Sequence, residues 1–122
     1  MSVTLTKESE NLFVASVDGI LTFDDLKKLE NKGRQDFKLE VDIKLLILAQ
    51  NFSGWGKEGN WGDLTFFYEV DPKLDKIAVV TQGKWKDEML MYLGAGRRQA
   101  EVKMFFEDEE DDARDWLQGD NE

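Results

Sequence analysis

Two short runs, Leu45-Leu46-Ile47-Leu48-Ala49 and Ile77-Ala78-Val79-Val80, are apolar at every position. A strand with one wet face alternates apolar and polar residues. A short run with no alternation fits a strand covered on both faces, as in a parallel sheet flanked by helices. The chain must therefore wrap cover around both sides of a sheet. With eight Phe, four Trp and two Tyr in 122 residues, it has the side chains to do so. One domain, residues 1–122, is expected at this length.

The flanking segments supply the remaining elements. Val3 to Lys7 alternates Val3 and Leu5 with Thr4 and Thr6, and Leu12 to Val17 is rich in apolar residues. A polar turn joins them, so the pair reads as an antiparallel hairpin, with Asp18-Gly19 ending the second strand. Thr22 is placed to cap a helix whose apolar face is Phe23, Leu26, Leu29, Gly33 and Phe37, ending near Phe37 or Leu39. Gln50 to Gly59 reads as a loop. Trp61, Leu64 and Tyr68, with Phe66, Phe67 and Val70, mark a short helix stopped by Asp71-Pro72. Lys84 to Leu93 reads as a helix stopped by Gly94 and Gly96. Glu101 to Phe106 is a strand with Val102, Met104 and Phe106 on one side, and Asp108 or Glu109 opens a last helix. The order β-β-α-β-α-β-α-β-α predicts an α/β fold: a mainly parallel sheet with right-handed crossovers and an antiparallel N-terminal edge strand.

Function is bounded first by what is missing. The chain has neither His nor Cys. Imidazole bases, Ser-His-Asp and Cys-His machinery, disulfides and thiolate zinc sites are therefore out of reach. No acid–base pair converges in the sequence, so no enzyme and no cofactor is expected. The formal charge of −10 disfavours nucleic acid, whose binding needs Lys and Arg to displace counterions. Most of that charge sits in the acidic C-terminal helix and tail 107–122, which holds nine acids and one Arg; residues 1–106 are near neutral. Six consecutive acids, Glu107 to Asp112, lack the spaced ligands and turning Gly of a calcium loop and read as a solvated helix start. The N-terminus has no apolar signal region and no run approaches membrane-spanning length, so a cytoplasmic protein is expected.

Several segments invite a functional reading. Gly54-Trp55-Gly56-Lys57-Glu58-Gly59 matches the G-x-G-x-x-G dinucleotide pattern. Trp55 would stand where a pyrophosphate must approach, however, and the next strand ends Val80-Thr81-Gln82 without a ribose-holding acid. Glycines of a tight loop are the simpler account. Ser53 is the one hydroxyl of that loop. A phosphate on it would switch a partner surface, and the plainer reading is a serine bonding its own backbone. Phe52, Trp55, Trp61, Phe66, Phe67, Trp85 and Met89 exceed what one short helix needs. They either fill the core or line an apolar pocket beyond the carboxyl ends of the strands. Met89-Leu90-Met91-Tyr92-Leu93 is apolar all round and precedes Arg97-Arg98. It suits either a contact with an anionic membrane surface, with Arg97 and Arg98 on a head group, or burial in a homodimer.

Five pieces stand out as a set: Phe52-Ser53-Gly54-Trp55, Trp61-Gly62-Asp63-Leu64, Lys76-Ile77-Ala78-Val79-Val80, Lys84-Trp85, and Ala100-Glu101-Val102-Lys103-Met104-Phe105. In this order the chain resembles the SpoIIAA-like family, relatives of STAS domains, over nearly its whole length. The resemblance implies a β-α superhelix with four successive parallel strands plus the antiparallel edge. It also implies a non-enzymatic binding or regulatory module. One such role is binding a small apolar, lipid-like ligand or a membrane surface, since the fold is also similar to CRAL-TRIO lipid-transfer domains. The other is a STAS-type protein-interaction regulator switched by serine phosphorylation. STAS antagonists carry an Asp-Ser-Ser-Gly-type turn at the start of the second helix. Here that place reads Lys57-Glu58-Gly59-Asn60-Trp61, and Ser53 lies earlier.

Overall fold

The hairpin forms as the alternation predicts. In the computed structural model, which describes residues 2–9, 11–38, 42–56, 73–88 and 101–118, β1 (Ser2–Lys7) runs antiparallel to β2 (Leu12–Leu21), with Leu5 opposite Ala15. β2 continues parallel to β3 (Ile43–Ala49) and, further along, to β4 (Phe52–Trp55). β3 pairs in parallel with β5 (Leu74–Thr81), and β5 with β6 (Glu101–Phe105). Among the described residues the sheet has six strands in the order β1-β2-β3-β5-β6, with β4 attached to β2. It is mostly parallel with an antiparallel edge, as expected.

The two apolar runs occupy the centre. Leu46, Ile77, Ala78, Val79 and Val80 are fully buried because they face cover on alternate sides. On one side Phe13, Ala15, Val17, Leu45, Ile77 and Val79 pack with Leu26 of helix α1 (Phe23–Asp36) and with Phe37 just past its end. On the other side Val14, Leu46, Ala78, Val80 and Phe105 pack with Ala113 and Leu117 of the C-terminal helix α2 (Glu110–Gln118).

Helix α1 (Phe23–Asp36) starts where the Thr22 side chain accepts a bond from the Asp25 N–H at 3.2 Å. The Thr22 hydroxyl also donates to the Asp25 carboxylate at 2.9 Å. Helix α2 starts at a reciprocal turn. The Phe106 N–H donates to the Glu109 carboxylate at 2.8 Å, and the Glu109 N–H donates to the Phe106 carbonyl at 2.9 Å. Glu110 then pairs with Arg114, which reaches back to Glu8 in the β1–β2 turn at 2.7 Å.

Three expectations are corrected. β2 does not end at Asp18-Gly19. Gly19 takes a positive φ of 72° at a register shift, its N–H bonds the Asn51 carbonyl at 3.0 Å, and the strand runs on to Leu21. Consequently the segment read as a loop after Ala49 contains a strand, β4, which resumes the course of β3 along β2. The last strand does not reach Phe106. The strand stops at Phe105 because the Phe106 backbone is taken up by Glu109, and its side chain is 57% exposed. Past β5, a 3-10 turn over Gly83–Trp85 leads into helical backbone at 86–88. The rest of that predicted helix, and the one from Trp61 to Val70, lie outside the described residues.

Candidate functional site

The strand order steps one way, β2 to β3 to β5 to β6, so the described sheet has no reversal of direction to open a crevice. The carboxyl end of the sheet is instead sewn shut where the backbone ladder stops. The buried Thr81 hydroxyl donates to the Ala49 carbonyl at 3.0 Å. Gln82 Nε2 donates to the Gln50 carbonyl at 3.2 Å. Gln50 Nε2 in turn donates to the Glu107 carbonyl and to Glu110 Oε1, each at 3.3 Å. These amides give main-chain oxygens at the strand ends the donors that a longer sheet would have provided.

Beyond this seam lies an aromatic pair, Phe52 of β4 and Trp85 of the 3-10 turn. Phe52 is buried at 2% exposure, and its ring meets Trp85 edge-on with centroids 4.9 Å apart. The Trp85 indole N–H donates to the Phe52 carbonyl at 3.1 Å. Gly54 adopts φ 130°, a conformation L side chains rarely reach. A Cβ built there would lie 3.4 Å from Trp85 Cη2. Gly56 then donates to the Leu21 carbonyl at 2.7 Å. Of the G-x-G-x-x-G pattern, the first glycine thus lies within a strand under an indole, and not at a strand-to-helix turn; Gly59 is outside the described residues.

Ser53 sits between two buried neighbours and is itself exposed. It is the residue passed over at the register shift, between Phe52 opposite Gly19 and Gly54 opposite the 52% exposed Ile20. On the α1 side, Lys84 Nζ stands 5.3 Å from the Trp85 ring centre. The Phe106 ring lies so close to Gly83 that a Cβ there would sit 3.2 Å from Phe106 Cε1.

The fold therefore brings Phe52 and Trp85 together and leaves Ser53, next to Phe52 in β4, exposed. Trp55 is on β4, opposite Leu21. Trp61, Phe66, Phe67, Met89, Arg97 and Arg98 lie outside the described residues. Sequence reasoning missed Ile20, Gln50, Gln82 and Phe106. Ile20 was hidden by reading Gly19 as a strand end. The two glutamines carried a weak signal, each being the first polar amide after an apolar strand.

The fold and its carboxyl-end seam define an α/β module with a stepwise, mostly parallel sheet and helices on both faces. The SpoIIAA-like family model matches residues 12–118, and the chain belongs to that family. A crystal structure of an uncharacterized protein from the DUF3478 family, with a SpoIIAA-like fold, from Shewanella loihica PV-4 has the same fold. The two are 18% identical with a TM-score of 0.73, over 95% of this chain and 92% of that one. No protein of curated description matches the sequence. Among the described residues, no helix is long and apolar enough to cross a membrane.

Proposed function

We propose that the chain is a non-enzymatic protein-interaction module that meets its partner at the carboxyl end of the sheet and is switched by phosphorylation of Ser53. The observation that carries this reading is the placement of Ser53. Its hydroxyl is presented on a strand whose flanking residues, Phe52 and Gly54, are both buried. A kinase would meet an exposed side chain on an anchored backbone. A phosphate would add about −1.5 to −2 charge at this exposed position without expelling any core group. The test is phosphosite mass spectrometry of the protein isolated from its own cells, with partner capture by wild type, Ser53→Ala and Ser53→Asp. The reading requires a phosphate on Ser53 and partners that the Asp variant loses. An unmodified Ser53 together with an unchanged partner set for Ser53→Asp would sink it.

A second reading, binding of a lipid-like ligand or an anionic membrane surface, is favoured by Phe106. Its exposed ring lies against Gly83, two residues before the half-buried Trp85 and next to Lys84. An aromatic surface with an ammonium beside it suits an acyl chain and its head group. Flotation with anionic vesicles should then carry the wild type and leave Phe106→Ser behind. Wild type that stays with the soluble fraction removes this reading.

A further inference from the structure

Strand β4 is fastened more weakly than the strands around it. Three register pairs join it to β2, with a shift between the first and the second. Five pairs join β2 to β3, and seven join β3 to β5. Among the described residues β4 pairs with no strand but β2. On its other flank the Phe52 carbonyl is met by the Trp85 indole N–H.

Two features lower the cost of lifting it. Ser53, passed over at the register shift, stands opposite no residue of β2. Gly54 is held at φ 130°, and glycine regains more backbone freedom on release than any other residue. The opposing term is Phe52, the large buried side chain of the strand. It leaves the core only if its ring parts from Trp85 and its carbonyl gives up the indole N–H.

We infer that β4 is a detachable strap, lifting over residues 51–56 while the rest of the sheet stays paired, and that Trp85 is its lock. Trp85 lies on the 3-10 turn that follows β5, and β5 is held by strands on both sides. The lock therefore keeps its place when the strap lifts. Two main-chain bonds break with it: Gly19 N–H to the Asn51 carbonyl, and Gly56 N–H to the Leu21 carbonyl. Segments that open ahead of the whole fold are those with the fewest buried contacts and pairings, and β4 is such a segment.

The use of the strap rests on the phosphorylation reading. In that step Ser53 Oγ bonds the γ-phosphorus of a nucleoside triphosphate, the diphosphate leaves, and the hydroxyl proton is released. The attacking oxygen must come in line with the leaving group. That requires residues on both sides of Ser53 to enter the kinase cleft. In the closed strand both neighbours, Phe52 and Gly54, are buried. Lifting β4 frees them, so Trp85 sets how often the segment can be modified.

The test is amide hydrogen exchange of the full chain by NMR, in rising urea below the unfolding transition. The amides of Gly19 and Gly56 should exchange together with a shallow urea dependence. Those of Leu46 in β3 and Val79 in β5 should show the steep dependence of global unfolding. Trp85→Phe should speed exchange at Gly19 and Gly56 by about tenfold or more and keep its shallow slope. A steep slope at Gly19 and Gly56 in wild type overturns the strap, as does separate exchange of the two amides. Unchanged exchange in Trp85→Phe overturns the lock. Mass spectrometry of the protein from its own cells then tests the use: Trp85→Phe should raise the phosphorylated fraction of Ser53. A phosphate present in wild type but no more abundant in Trp85→Phe overturns that role. An unmodified Ser53 in both removes the phosphorylation reading, whereas the strap itself stands or falls on the exchange.

Discussion

The indole N–H of Trp85 donates to the carbonyl of Phe52 at 3.1 Å, while the two rings meet edge-on at 4.9 Å. One side chain thus supplies both the hydrogen bond and the apolar cover that a further strand would have given β4. Trp85→Phe keeps most of the ring and leaves the Phe52 carbonyl without that donor. The expected cost is about 1–3 kcal/mol in urea unfolding. Trp85→Ala removes the ring as well and should cost about 3–5 kcal/mol. A neutral Trp85→Phe would mean the hydrogen bond contributes nothing, and equal effects of the two would mean the ring adds nothing beyond it.

Gly54 should be more sensitive than its size suggests. At φ 130° any L residue is strained, and the ring of Trp85 lies over the position. Gly54→Ala is expected to destabilise by about 1–3 kcal/mol, read as a lowered midpoint at unchanged denaturant slope. A neutral substitution would contradict this backbone geometry.

The cap of α1 offers a local test. Thr22→Ala removes the acceptor of the Asp25 N–H and should cost about 0.5–2 kcal/mol. Thr22→Ser retains the hydroxyl and should stay within about 0.5 kcal/mol of wild type. Chemical denaturation of the two variants separates capping from the loss of a methyl group.

Arg114 joins parts of the chain 106 residues apart through Glu8 and also holds Glu110. The hydrogen bond to Glu8 is the chief cause of its raised pKa. A raised pKa means the contribution is fully present below the ordinary arginine range. It is lost only as pH climbs through still more alkaline values. The pair is partly exposed, so Arg114→Met should cost no more than about 1 kcal/mol. That deficit should stay constant between about pH 6 and 10. A deficit that disappears within this window would show that the guanidinium is not the group responsible.

The central strands, the hairpin and the last helix were legible because each announces itself locally. Leu45 to Ala49 and Ile77 to Val80 admit no wet face, Val3 to Lys7 alternates, and Thr22 marks a helix start. β4 was not legible. Phe52-Ser53-Gly54-Trp55 is short, contains a glycine and follows a polar step, all marks of a loop. It becomes a strand only because β2 continues through Gly19 and offers an edge. The exposure of Phe106 was likewise hidden, since the alternation of β6 runs through it and the interruption comes from Glu109 three residues on.

The candidate site divides in the same way. The sequence by itself determined the chemistry available: without His or Cys, the chain has only hydroxyl, amide, carboxylate, cationic and aromatic groups to work with. It also determined that two apolar strands lie at the centre, because a wholly apolar run has no other low-energy place in water. Tertiary structure alone decided that Phe52 turns inward and Ser53 outward, and that Trp85 meets Phe52 across 33 residues of chain. These depend on strand pairing and on which backbone groups were left without partners, and such non-local hydrogen-bond needs leave no periodic trace in the sequence.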